Sequence, residues 1–453
     1  MGRSWPNFAH DECTFGVTRS TGQEKRALML QGLFIDSLNV KESSHIDLYL
    51  EQQKKRVLSC WTCKTCDFLL KSADPNSSEQ YHFLDYSGTH EAAQDLEVFR
   101  KAVNIDKLSL LAVSYGTQIF ATYATVFPES VDKIVLDSGM SPMPDFLSTA
   151  KDYARSINIR LEYLAFSCDT KNMRTPGSCP VPNMANCFQK VTSFLTQQLS
   201  SGALLPYENA LANHLLFMTH DTDKNWSFLS QLCSAGEKQD LNMLRNATNL
   251  YGNSLNQDEN KDVSVCESCP TSPSNVYGNE DYSVIMGNSI VPTANVPETL
   301  TLGQSLAGGC LSKDSFKQQV EIIDLLYPGL GTHLPARQFL YVYAMGYYWP
   351  EPHPTAPAGD VTIKGIVSGQ LYDSSTPYSW TQEIKQAFPS MTLLTSQWIE
   401  HGLNQHDSST PEINPNNNSC LNHIENYLLT GEIDISDGTV CRSGFHKLNI
   451  QQQ

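Results

Sequence analysis

The sequence predicts an α/β fold: a mostly parallel sheet with helices on both faces, interrupted by a long, mainly helical insertion. Three observations carry this. Strand and helix patterns alternate from Tyr86 to Gly139, as expected for parallel strands joined by crossover helices. Between about Met140 and Pro350 the texture turns helical, loop-rich and cysteine-rich, with Cys168, Cys179, Cys187, Cys233, Cys266, Cys269 and Cys310. Alternation then returns and continues towards the C-terminus. At 453 residues the chain has room for about two to three domains. The expected division is residues 1–140 as the N-terminal part of the core, 141–350 as a helical cap, and 351–453 as the C-terminal part of the core with an extension.

The elements follow from local chemistry. In "SGTHEAAQDLEVFRKAVN", Thr89 is an expected N-cap and Glu91 falls in the first turn, where the helix dipole favours a carboxylate. Ala92, Leu96, Phe99 and Val103 recur at the spacing of one helix face. "LSLLAV" (108–113) is a short apolar run, expected as a strand buried on both faces. "TQIFATYATVF" is helical and stops before Pro128. "KIVLDS" (133–138) is the next strand. "NCFQKVTSFLTQQL" is one of the helical patches in the insertion. After it, "TIKGIVSG", "PYSWTQEIKQAF" and "MTLLTSQW" read strand, helix, strand, and "CLNHIENYLLTG" is a last helix ending at Gly431. "PEINPNNNS" is a surface loop.

Composition narrows the function. The net charge of −17 and the lack of a basic block argue against nucleic acid or anionic membranes as partners. No stretch reaches the roughly 18 uninterrupted apolar residues of a membrane span. Thirteen cysteines and acceptor tripeptides at Asn76, Asn225, Asn246 and Asn417 point to an oxidising compartment, secreted or endo-lysosomal. The opening "MGRSWPNFAHDEC" carries no signal-peptide pattern, so the expectation is a sequence that lacks its true N-terminus.

Chemistry concentrates at "AVSYG" (112–116). A serine between a strand and a helix, flanked by small residues two positions to each side, has the pattern of a nucleophile elbow. Ser114 is then a nucleophile, with Ala112 where Gly is usual and Gly116 at the more demanding site. A serine nucleophile needs a base, and the base an orienting acid. "GQLYDSSTP" puts Asp373 just past one strand, and "WIEHGLN" puts His401 in the loop after the next. The order Ser, Asp, His suits an α/β-hydrolase. His406 is a rival base and Asp137, at the end of "KIVLD", a rival acid.

At these residues the chain resembles the secreted tripeptidyl-aminopeptidase-like α/β-hydrolases, serine peptidases related to proline iminopeptidases. The similarity lies in the Ala-Ala-x-Asp-Leu helix, the S-Y-G-T elbow and the V-L-D strand end of residues 86–139, then in "GQLYDSSTPYSWTQEI", "EHG" and the tail "SCLNHIENYLLTGEIDISDGTVC". The resemblance implies Ser114 as nucleophile, Asp373 as acid, His401 as base and the Tyr115 N–H as one half of the oxyanion hole. It implies peptide substrates, release of short peptides from their N-termini, a cap over the site, and no cofactor or metal. The family's H-G-G-P-G loop, which supplies the other oxyanion donor, is absent from the 453 residues. "FGVTRSTG" (15–22) weakly resembles the segment that follows that loop. The chain is therefore expected to begin after the first strands of the fold. A catalytically impaired hydrolase-fold protein and an esterase using the same triad are the alternatives. "YSVIMGNS" (282–289) departs from the family's A-I-x-C-x-D run.

"CWTCKTC" (60–66) and "CESC" (266–269) could hold zinc, but about 200 residues separate them and disulfides are favoured. Cys420 and Cys441 bracket the last helix and are expected to pair. Glu280 and Asp281 read as a solvated acidic loop, and the aromatic run 339–349 as core.

Overall fold

The computed structural model describes residues 69–72, 75–82, 89–142, 146–169, 183–204, 223–258, 358–397, 401–403 and 420–441, with a few single positions besides. The chain divides into two compact units, one formed by Met1–Gly88 with Asn186–Pro354, the other by Thr89–Ala185 with Thr355–Gln453.

In the first unit, β1 (Leu69–Lys71) and β2 (Gln80–His82) form an antiparallel pair. Its described helices are α4 (Met184–Ser200), α5 (Asp223–Lys238) and α6 (Leu241–Asp258). A disulfide joins Cys187 to Cys233. Gly236 permits a close approach beside it, since a Cβ there would stand 2.9 Å from the Val191 Cα. Arg245 caps the turn after α4 by donating to the Ala203 carbonyl at 2.7 Å.

The second unit holds the sheet. Its order is β3 (Leu108–Ser114), β4 (Val131–Gly139), β5 (Ile366–Gln370), β6 (Thr392–Ser396) and β7 (Thr439–Cys441), every neighbouring pair parallel. The connecting helices are α1 (Thr89–Ala102), α2 (Gly116–Val126), α3 (Phe146–Asp169), α7 (Tyr378–Ala387) and α8 (Cys420–Thr430). Alternate residues of the central strands feed two cores. Ile134, Leu136 and Val367 pack with Ala121 and Ala124 of α2, Ile384 of α7 and Phe388 at its C-cap. Val135, Ile366 and Leu394 pack with Ile424 and Tyr427 of α8. A parallel sheet covered on both faces is the predicted architecture, and between β4 and β5 the elements among the described residues are helices.

Two expectations are corrected. β3 is not buried on both faces: Leu110 and Ala112 are buried while Leu111 is 39% exposed. Among the described residues β3 is an edge strand, paired with β4 alone. On α1 the buried positions are Thr89, Ala93 and Glu97, with Leu96 packed beside them, whereas Phe99, and Val103 just past the helix end, are exposed. A buried carboxylate turns the helix away from its apolar stripe. Glu97 accepts from Arg100 Nε at 2.8 Å and from the buried Tyr123 hydroxyl at 2.8 Å, and Lys101 lies 3.2 Å away. The Arg100 hydrogen bond, ahead of Tyr123 and Lys101, holds the Glu97 carboxyl well below the usual carboxylate range.

Candidate active site

β3 ends and α2 begins within two residues, and Ser114 sits at that corner with φ +59°. A non-glycine residue in the left-handed region is strained and persists only where its surroundings impose it. Here the surroundings are identifiable. Thr117 Oγ1 donates to the Ser114 carbonyl at 2.6 Å and accepts from the Met140 N–H at 2.9 Å, tying the corner to the end of β4. The sheet register slips between Val113 and Ser114, so that Ser114 pairs with Gly139. A Cβ on Gly139 would stand 3.0 Å from Thr117 Oγ1. The small residues on either side of the serine face each other: a Cβ on Gly116 would lie 3.7 Å from the Ala112 Cβ.

Tyr115 has helical angles, φ −56° and ψ −30°, and opens α2. Its N–H therefore lies outside the helix's own hydrogen-bond ladder, at the positive end of the helix dipole. Its hydroxyl is 2.7 Å from Thr89 Oγ1 at the start of α1.

Asp373 follows β5 and is buried. Its Oδ1 accepts from the backbone N–H groups of Ser375 at 2.7 Å and Thr376 at 3.0 Å. This is the side-chain turn that Asp forms with amides two and three residues on. Its Oδ2 accepts from Thr376 Oγ1 at 2.9 Å and faces His401 Nδ1 at 2.8 Å. An ionised carboxylate accepts only, so Nδ1 carries the proton and Nε2 is the basic nitrogen of the neutral ring. Burial lowers the His401 pKa, but the charge and hydrogen bond of Asp373 and the charge of Asp137 outweigh it, leaving the pKa above the usual histidine value.

The loop carrying His401 crosses the ends of β3 and β4. Gly402 has φ +78°, and a Cβ there would stand 2.9 Å from Val113 Cγ1, one residue before Ser114. Leu403 N–H donates to Asp137 Oδ2 at 2.7 Å, and Gly402 N–H donates to Ser138 Oγ at 3.0 Å. Asp137 makes its hydrogen bonds to Leu403, Ser368 and Gln370. Of the two carboxylates considered, it is Asp373 that bonds the imidazole. His406, Glu280, Asp281, residues 282–289 and 339–349, Asn417 and the cysteines at 60–66 and 266–269 lie outside the described residues.

Thr117, Thr376, Ser138 and Gln370 were not anticipated. The spacing Asp373-x-x-Thr376 before Pro377 is a readable turn signal. Nothing local marks Ser138 or Gln370, whose partners lie more than 230 residues away along the chain. Among the described residues no group of three or more His, Cys, Asp and Glu side chains could hold a metal ion, and no helix is long and apolar enough to cross a membrane.

A parallel sheet with a strained serine corner at the end of one strand and an Asp–His pair beyond the ends of two other strands, β5 and β6, defines an α/β-hydrolase fold. The comparisons agree. Residues 48–175 match the model of the alpha/beta hydrolase fold, and residues 336–441 match that of the TAP-like proteins. The chain has the α/β-hydrolase fold and carries a TAP-like C-terminal domain. Serine protease Hip1 of Mycobacterium tuberculosis is 35% identical over 95 residues, 21% of this chain and 18% of the relative. The tripeptidyl aminopeptidase of Streptomyces lividans is 44% identical over 62 residues, 14% of this chain and 12% of the relative. Putative hydrolase YuaR of Escherichia coli is 50% identical over 54 residues, 12% of this chain and 11% of the relative. The matched stretches thus span less than a fifth of these relatives.

Proposed function

We propose that this protein is a serine exopeptidase that removes short peptides or residues from substrate N-termini. The observation that carries the reading is the Asp373–His401 pair at 2.8 Å, on a loop pressed against the strand that ends in the strained Ser114. In the proposed reaction His401 Nε2 takes the Ser114 hydroxyl proton as Oγ attacks the scissile carbonyl. Asp373 holds the imidazole and balances the charge it gains. The tetrahedral oxyanion is met by the Tyr115 N–H. The imidazolium then protonates the leaving amine, the C–N bond breaks, and an acyl-Ser114 remains. Water, deprotonated by His401, releases the acid and restores the hydroxyl. The names of the distant relatives, a serine protease and a tripeptidyl aminopeptidase, support peptide substrates. The disulfides Cys187–Cys233 and Cys420–Cys441 support an oxidising, secretory or endo-lysosomal location.

A fluorophosphonate probe should label the native protein, and Ser114→Ala should abolish labelling; undiminished labelling of the Ala variant would sink the assignment. Turnover of tripeptidyl and aminoacyl amides, set against p-nitrophenyl esters, separates peptidase from esterase. Preference for N-blocked peptides would overturn exopeptidase action.

A further inference from the structure

We propose that Asp137 is a positioning residue for this site, anchoring the loop that carries His401 to the end of β4. The inference rests on the serine-hydrolase reading above and adds a residue to it. Asp137 is 1% exposed and Ser138 fully buried. In a regular strand neighbouring side chains point to opposite faces. Ser138 has φ +46°, which breaks that alternation, and the side chains of Asp137 and Ser138 both reach one loop. Asp137 Oδ2 takes the Leu403 N–H at 2.7 Å, and Ser138 Oγ takes the Gly402 N–H at 3.0 Å. The two backbone amides that follow His401 are thus both fixed to β4.

The anchor is itself braced from β5. Ser138 Oγ donates to Gln370 Oε1, and Gln370 Nε2 donates to Asp137 Oδ1 at 3.2 Å. Ser368 Oγ donates to the same Oδ1 at 2.7 Å. Gly402 closes the arrangement, since any side chain there would strike Val113 at 2.9 Å. A buried carboxylate is costly unless it is fully hydrogen-bonded, and this one spends its bonds on the catalytic loop and its brace. Asp373 fixes the ring from one side while Asp137 fixes the backbone that carries it. A displacement of the imidazole by about 1 Å is enough to cost roughly 10²-fold in rate.

The test compares Asp137→Ala, which removes the acceptor, with Asp137→Asn, which keeps one oxygen for the Leu403 N–H. Three readouts are taken on the full chain. Amide exchange of the peptide spanning Gly402 and Leu403 should quicken in Asp137→Ala, stay near native in Asp137→Asn, and leave β4 unchanged in both. The fluorophosphonate labelling rate, and kcat on p-nitrophenyl acetate with KM unchanged, should fall by about 10²-fold in the Ala variant and be largely rescued in the Asn variant. If the Ala variant does not fold, the Asn variant and an Asp137→Ser variant carry the comparison, Ser being expected to lose the anchor. Unchanged exchange of the 402–403 peptide would overturn the anchor. Faster exchange with undiminished labelling, in a protein whose labelling Ser114→Ala abolishes, would overturn the positioning role and leave the hydrolase reading standing. A native protein that is never labelled would overturn both.

Discussion

Ala112 and Gly116 face each other across the serine corner, and a Cβ placed on Gly116 would meet the Ala112 Cβ at 3.7 Å, an ordinary van der Waals contact. The alanine where the motif has glycine is therefore accommodated, and the glycine two residues after Ser114 is less demanding than the motif suggests. Gly116 does not have a positive φ and begins α2. Gly116→Ala should fold, with thermal stability unchanged or raised by up to about 1 kcal/mol from helix propensity, and should retain fluorophosphonate labelling. A collapse of stability measured by circular dichroism would show that the corner has no room for the methyl.

The imidazole's environment sets the pH dependence. The groups facing it are Asp373 and Asp137, and Tyr153 on α3 in turn faces Asp373 and Arg160. Because the carboxylates raise the His401 pKa, the base becomes neutral at higher pH than an ordinary histidine, whose pKa is about 6.5. The labelling rate should therefore rise with pH through a midpoint above that value. In Asp373→Asn the midpoint should move down, and the rate should fall by roughly 10²–10⁴-fold. Stability runs the other way: a raised histidine pKa stabilises the fold below the unfolded-state value and is lost as pH rises through the folded value. A labelling profile with the same midpoint in both proteins would remove Asp373 from the imidazole.

Much of this was legible in the sequence because strands and helices of a parallel sheet announce themselves locally. The elbow, the strand that carries Asp137 near its end and the last helix closing at Gly431, with φ +80°, are set by a few adjacent residues. The contacts that position the site are not local. Ser138 and Gln370, 232 residues apart, become neighbours through parallel pairing of β4 and β5. The buried face of α1 departs from its apolar stripe for a related reason. Apolar periodicity cannot count Glu97 as an inward residue, because its partner Tyr123 lies on another helix.

That buried carboxylate makes its own prediction. Glu97 has a depressed folded-state pKa, caused first by Arg100 and then by Tyr123 and Lys101. Its stabilisation is present above the unfolded glutamate value of about 4.3 and fades as pH falls towards the folded value. Glu97→Gln should lower Tm at neutral pH. The gap between native and variant should narrow progressively below about pH 4 as the native carboxylate protonates. A Tm difference independent of pH in calorimetry would mean that Glu97 acts through packing alone.

Cys420 opens α8 and Cys441 ends β7, and the disulfide between them closes a loop of 21 residues in sequence separation. Both sulfurs are buried in the core that packs α8 on the sheet with Val135, Ile366 and Leu394. Loop-closure entropy assigns about 3 kcal/mol to a cross-link of this span. The Cys420→Ser, Cys441→Ser double variant should lose roughly that much in denaturant titration. It also buries two hydroxyls, so Cys→Ala at both sites should recover part of the loss. The β7 end of the described sheet should open first, seen as faster amide exchange across 420–441 while β3 and β4 hold. Equal stability with and without reductant in the native protein would show that the covalent link contributes nothing beyond the packing of α8.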